Sequence, residues 1–255
     1  MKKLHLAAQL YTLRDFTRDI RGFRDTLRRL KAMGYDSFQY SGAGPLDPHE
    51  VLDAMQEHNM PMSATHTAPA LLQNELDAVI QNHQLWNCEF VGIGMMPEEY
   101  RKTREGIVAF AREFSGIGRS LRDNGLTLIY HNHSFEYQKF GRDLIMDILL
   151  EESDPAAFDI ELDTYWVQAG GADPIQWIRK VDKRMRYIHF KDMAVSEGRQ
   201  VFAPVGEGNL NWEGIIRACM ETDVEACAVE QDVCEGSPFD CLSSSIVNLR
   251  QRYGL

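Results

Sequence analysis

Phe158-Asp159-Ile160-Glu161-Leu162-Asp163, FDIELD at residues 158–163, alternates apolar and acidic side chains. In a β-strand, side chains i, i+2 and i+4 share a face. Phe158, Ile160 and Leu162 would therefore meet covering helices, while Asp159, Glu161 and Asp163 would point inward. Interior carboxylates are costly unless they are paired, hydrogen-bonded or bound to a metal. The next β-type run, YIHFKD at 187–192, sends Ile188 and Phe190 outward and Tyr187, His189 and Lys191 inward. ACAVEQD at 226–232 puts Ala228, Glu230 and Asp232 on one face, and TLIYHNHSFE at 127–136 does the same with Ile129, His131 and His133, with Glu136 just beyond. Four successive strands thus end in residues able to bind a metal.

Working outward, β-type runs fall at Leu6–Leu10, Ser37–Tyr40, Met62–His66, Phe90–Gly94, Thr127–Asn132, Phe158–Asp163, Arg186–Phe190 and Ala226–Glu230. Between them lie segments with helical spacing of apolar residues. Phe23, Leu27, Leu30 and Met33 form one, stopped by Gly34, and another starts at Pro48, where a first-turn proline fits. Strands alternating with helices imply a parallel sheet with helical crossovers. Eight such units in 255 residues match a single (β/α)8 barrel over residues 1–255. A dinucleotide fold would need GxGxxG after the first strand, and that strand runs into QLYTLRD (9–15) instead. In a barrel of this kind the catalytic groups sit at the C-terminal ends of the strands.

Composition narrows the function. Lys and Arg number 27 against 38 Asp and Glu, a net charge of −11. That balance argues against a nucleic-acid backbone as partner. No run approaches the roughly 18 apolar residues of a bilayer helix. The opening MKKLHLAAQL is broken by His5 and Gln9 and reads as a first strand rather than a signal peptide. Five cysteines with no CxxC pair read as reduced thiols, which points to the cytoplasm.

Glu136, Asp163, His189 and Glu230, each about one βα unit from the next, are the candidate metal ligands. Three carboxylates and an imidazole suit Mn²⁺, Mg²⁺, Co²⁺ or Zn²⁺. Together YHNHSFEY (130–137), FDIELDTYW (158–166), YIHFKD, AVEQD (228–232), QLYTLRD and VGEGNLNW (205–212) resemble the sugar phosphate isomerase/epimerase superfamily. These are xylose isomerase-like barrels that include ketose 3-epimerases and inosose dehydratases. The resemblance runs along essentially the whole chain. It implies one divalent metal, manganese first, held by Glu136, Asp163, His189 and Glu230. Many relatives carry the first Glu within strand five, about where His131 stands, so His131 or His133 is the alternative ligand there.

The chemistry so implied moves a proton next to a carbonyl through a metal-stabilised enediolate. Glu136 and Glu230 would double as ligands and acid/base groups, giving an isomerase or epimerase acting on a sugar, sugar phosphate or keto-sugar. An inosose dehydratase-type lyase on the same site is the main alternative; a metal-dependent endonuclease and a non-catalytic sugar-binding barrel rank below it. Lys191 either steadies developing negative charge or pairs internally with Asp159 or Glu161. His131 and His133 contact substrate or support a ligand carboxylate. His66, Gln9, Tyr11 and Trp166 are pocket candidates, each with packing or hydrogen bonding as its alternative role. Glu207 and Asn209, in a loop of about 20 residues after strand seven, are further candidates. His5, His49, His58 and His83 read as structural or exposed. Exposed outer helices are compatible with a homo-oligomer.

Overall fold

The computed structural model describes residues 3–255. Eight parallel strands close into one barrel: β1 (His5–Gln9), β2 (Ser37–Tyr40), β3 (Met62–His66), β4 (Phe90–Ile93), β5 (Thr127–His131), β6 (Asp159–Asp163), β7 (Tyr187–Phe190) and β8 (Ala226–Val229). Each pairs with its sequence neighbours, and β1 closes the ring against β8 through His5–Ala226 to Ala8–Val229. This is the (β/α)8 barrel expected from the alternating elements.

Local chemistry explains the outer layer. The helix Ile20–Met33 begins at Asp19, whose side chain accepts from the Gly22 amide, and ends at Gly34 with φ of 97°. That left-handed cap conformation is one glycine adopts without penalty. Phe23, Leu27 and Leu30 are buried on its inner face. Pro48 opens the next helix, capped by Asp47. On the far side, Phe110 and Phe114 of the helix Arg104–Asp123 pack with Tyr130 of β5 and Phe158 in one aromatic cluster.

The barrel interior is filled in layers. Ala7, Ala64, Phe90, Ile129, Tyr187, Ala226 and Ala228 form a small apolar plug. Its four alanines leave room for the two aromatic rings. Above that plug, towards the C-terminal ends of the strands, the inward positions become polar and stay buried: Gln9, Gln39, His131, Glu161, Asp163, His189 and Lys191. Register explains the convergence, because His131 lies opposite Glu161 and Asp163 opposite His189.

The long connection after β7 is not a structureless loop. Asp192–Ser196 and Arg199–Ala203 pair as an antiparallel ribbon, turned by Glu197 and Gly198 at φ of 50° and 73°. Two consecutive left-handed residues match the twist of a tight hairpin. The remainder, through Trp212, is gathered on one carboxylate. Asp192 accepts from the amides of Met193, Gly206, Gly208 and Leu210 and from the Trp212 indole. Among the described residues, no helix is long and apolar enough to cross a membrane.

Candidate active site and metal centre

β6 supplies the centre. Asp163 ends that strand and begins the helix Thr164–Ala169, so its two oxygens have separate tasks. Oδ1 caps the helix by accepting from the Trp166 amide at 2.9 Å. Oδ2 is left to face His131 Nε2 at 3.2 Å, Lys191 Nζ at 3.6 Å and His189 Nδ1 at 3.7 Å. From β8, Glu230 Oε2 lies 3.1 Å from His189 Nδ1 and 3.0 Å from Lys191 Nζ. One donor atom from each of His131, Asp163, His189 and Glu230 lies within 4.8 Å of the others, and all four residues are buried.

The hydrogen bonds of the two imidazoles fix what this centre requires. His131 Nδ1 reaches the Gly94 carbonyl at 3.2 Å, and a carbonyl can only accept, so Nδ1 carries the proton. In the neutral ring Nε2 then presents a lone pair to Asp163 Oδ2. Burial, and the neighbouring His189, hold the His131 pKa below its ordinary value, which favours that neutral form. His189 Nε2 donates to Gln39 Oε1 at 2.7 Å, with Glu161 Oε1 at 3.2 Å. Its Nδ1 is thereby aimed at the Glu230 and Asp163 oxygens. Despite burial, the Glu161, Asp163 and Glu230 carboxylates hold the His189 pKa well above its ordinary value, so without a metal its Nδ1 carries a proton toward Glu230 and Asp163, in the place that a metal ion would take. Burial alone would raise the Asp163 and Glu230 carboxyls, but Lys191 and the imidazoles hold both well below the usual range. Two imidazoles and two carboxylates form a donor set that suits Mn²⁺, Zn²⁺, Co²⁺ or Fe²⁺. Their far nitrogens are already locked by acceptors, as metal-binding histidines generally are.

Glu136 stands apart from this set. It sits in a 3-10 turn, Phe135–Tyr137, that folds its carboxylate back along the strand. Oε1 accepts from the Tyr130 hydroxyl at 2.6 Å and Oε2 from the His133 amide at 2.8 Å. Tyr130 packs against Phe110 and Phe158, and both carboxylate oxygens have partners outside the clustered donor atoms. Burial pushes its pKa up to about 7, partly offset by those two bonds. The clustered donor atoms thus include His131, the alternative at the end of the same strand, and not Glu136.

Beneath the centre runs a hydrogen-bonded relay. Gln9 donates to Gln39 at 2.9 Å, Gln39 to Glu161 at 2.6 Å, and His66 Nε2 to the other Glu161 oxygen at 2.7 Å. Despite burial, the His189 and His66 rings keep Glu161 well below the ordinary carboxylate range. Glu161 therefore pairs with imidazoles, while Lys191 pairs with Glu230, Asp163 and Asp232 rather than with Asp159 or Glu161.

A cavity of about 610 Å³ opens above the centre. Tyr11, His66, His131, His133, Trp166, Lys191 and Glu230 all line it, together with Ser41, Met95 and Asp232. Gln9 lies behind its wall. His133 Nδ1 and Trp166 Nε1 are buried without a partner in the protein, and burial beside His131 holds the His133 pKa down near 2. The loop candidates fall elsewhere. Glu207 turns to Ser244 and Asn248, and the Asn209 amide bonds the Met193 carbonyl. His83 is structural, tied to Val79 and Thr65. Gln39, Ser41 and Asp232 had no assigned role in the sequence reading, although the inward alternation that located His189 also reaches them.

With this geometry established, the comparisons are consistent. A model of the xylose isomerase-like TIM barrel family matches residues 27–231, and the chain belongs to that family. An inosose dehydratase of Lacticaseibacillus casei is 22% identical over 142 residues, 49% of this chain and 47% of the relative. The chain thus spans about half the length of the curated relatives it matches. A sugar phosphate isomerase/epimerase from Parabacteroides distasonis superposes with a TM-score of 0.83 at 19% identity, over 98% of both chains. A D-allulose 3-epimerase from Methylomonas sp. in complex with D-allulose gives 0.74 at 14% identity, covering 99% and 98%. A xylose isomerase-like barrel from Mycobacterium smegmatis in complex with magnesium gives 0.74 at 15%, covering 99% and 97%. At these identities the structural likeness is one of fold.

Proposed function

We propose that this chain is a divalent-metal-dependent isomerase or epimerase of a sugar or keto-sugar, moving a proton on carbon next to a carbonyl. The observation that carries the reading is the convergence of His131, Asp163, His189 and Glu230 at the floor of a cavity, with both imidazoles facing Asp163 and His189 also facing Glu230. A divalent ion held by these four residues would polarise a substrate carbonyl and offset the negative charge developing on its oxygen. Manganese remains the first choice of metal, and the cytoplasm the expected compartment, in keeping with cysteines that form no disulfide among the described residues.

The chain's own groups supply the proton chemistry. On one wall, Glu230 and Lys191 stand 3.0 Å apart, a carboxylate to accept a proton and an ammonium to donate one. On another, His66 is tied through Nε2 to Glu161, leaving Nδ1 beside the Ser41 hydroxyl at 3.3 Å. Proton-handling groups from two sides of one cavity suit removal and return of a proton at different faces. Tyr11 and Trp166 provide flat surfaces for a sugar ring.

A lyase reading has its own support in the Lys191 ammonium, which is placed to protonate a departing hydroxyl, and in the relatives named inosose dehydratase. One experiment separates the two. Metal-stripped protein reloaded with Mn²⁺ is given ketoses, ketose phosphates, 3-ketoglycosides and inososes in D2O and followed by NMR. Metal-dependent deuterium uptake beside a carbonyl with return to a sugar supports the isomerase or epimerase. Formation of a dehydrated product supports the lyase, and no uptake with metal bound contradicts both.

A further inference from the structure

Lys191 stands where a metal-binding cluster would least tolerate a cation. Its Nζ lies 3.0 Å from Glu230 Oε2 and 3.6 Å from Asp163 Oδ2, the carboxylate oxygens that also face His189 Nδ1. Metal–oxygen bonds of about 2.0–2.2 Å to those atoms would bring a divalent ion close to the ammonium, at a separation where like charges repel strongly in a buried site. Yet the shortest contact of Lys191 is to neither oxygen. It is to Asp232 Oδ1, at 2.6 Å. Beside that carboxylate the faces of Trp166 and Phe202 lie 5.0 and 5.2 Å from Nζ, within cation–π range. Asp232 and the two rings thus contact the same ammonium that reaches Glu230 and Asp163, and offer it partners outside the donor set.

We propose that Lys191 and Asp232 together set the metal affinity of the centre. Lys191 competes with the ion for Glu230 and Asp163, and Asp232 draws the ammonium aside when the ion binds. This inference rests on the metal reading above. It assigns Asp232 a positioning role, acting through Lys191 and not as a ligand. In the metal-free protein Lys191 neutralises the buried carboxylates, which keeps the centre folded and disfavours weakly bound cations.

The test is Mn²⁺ binding to metal-stripped protein by titration calorimetry, with free Mn²⁺ checked by electron paramagnetic resonance. Wild type, Lys191→Met, Asp232→Asn and the double variant are compared. Lys191→Met is expected to bind Mn²⁺ at least about tenfold more tightly, and Asp232→Asn at least about tenfold more weakly. In the Lys191→Met background, Asp232→Asn is expected to change affinity less than about threefold, because no ammonium remains to be drawn aside. Should Lys191→Met fail to fold without metal, Lys191→Gln and the Asp232→Asn arm carry the comparison. An equal loss from Asp232→Asn in both backgrounds would make Asp232 a direct electrostatic contributor and overturn the proposal. So would unchanged affinity in every variant that binds the ion. A wild type that binds no Mn²⁺ overturns the metal reading itself, and the proposal with it.

Discussion

At the residue scale, the decisive distinction is between His131 and Glu136, five positions apart on the same strand end. His131 is the last residue of β5, where alternation still dictates direction, and it points inward. Glu136 lies beyond the strand, where period-2 reasoning no longer applies, and the 3-10 turn returns it to Tyr130. A sequence cannot show that fold-back, because Glu is equally suited to a metal and to a tyrosine hydroxyl. Two substitutions separate the roles. His131→Ala should lower Mn²⁺ affinity at least about tenfold, read by calorimetry. Glu136→Gln should leave Mn²⁺ affinity within about threefold while changing thermal stability, since the amide cannot accept from both Tyr130 and the His133 amide equally well. Loss of metal in Glu136→Gln with retention in His131→Ala would reverse the assignment.

Elements were legible wherever a face was unambiguous. β2 and β3 have the expected bounds, Ser37–Tyr40 and Met62–His66, and the other strands differ by one residue at one or both ends. Alternating carboxylates in β6 gave its inward face, because the three apolar neighbours require the covering helices on the other side. Gln39 was harder to read: it is neutral, so its burial beneath His189 carries no electrostatic signature in the sequence. The ribbon after β7 was also missed, although Glu197-Gly198 between Val195 and Val201 has the form of a hairpin turn. Asp192 gathers the rest of that segment through five hydrogen bonds. Asp192→Asn should cost roughly 2–4 kcal/mol in urea unfolding, because an amide serves five donors poorly and loses the charge that strengthens those bonds. A change below about 0.5 kcal/mol would show that the segment is held by its packing alone.

At the scale of the whole molecule, stability and the site respond to different conditions. His83 is buried between the Val79 carbonyl and the Thr65 hydroxyl, and burial pushes its pKa down to about 4. The unfolded chain takes up that proton near pH 6.5, so the unfolded state binds more protons between those values. The His83 contribution is therefore complete above about pH 6.5 and is lost as pH falls towards 4, roughly 3 kcal/mol in all. His83→Gln should flatten this part of the stability profile, measured by denaturant unfolding at several pH values. An unchanged slope would mean that other groups dominate it. Metal acts separately: saturating Mn²⁺ should raise the melting temperature of the wild type, because an ion that binds only the folded state stabilises it by mass action.

The barrel, its closed register and the inward polar layer make one central claim, that His131, Asp163, His189 and Glu230 hold a single divalent ion at the cavity floor. The most direct measurement is anomalous diffraction at the manganese edge from crystals soaked in Mn²⁺. The account expects one strong peak about 2.0–2.3 Å from a donor atom of each of these four side chains. A peak bound by Glu136, or no peak in the cavity at saturating Mn²⁺, would contradict it.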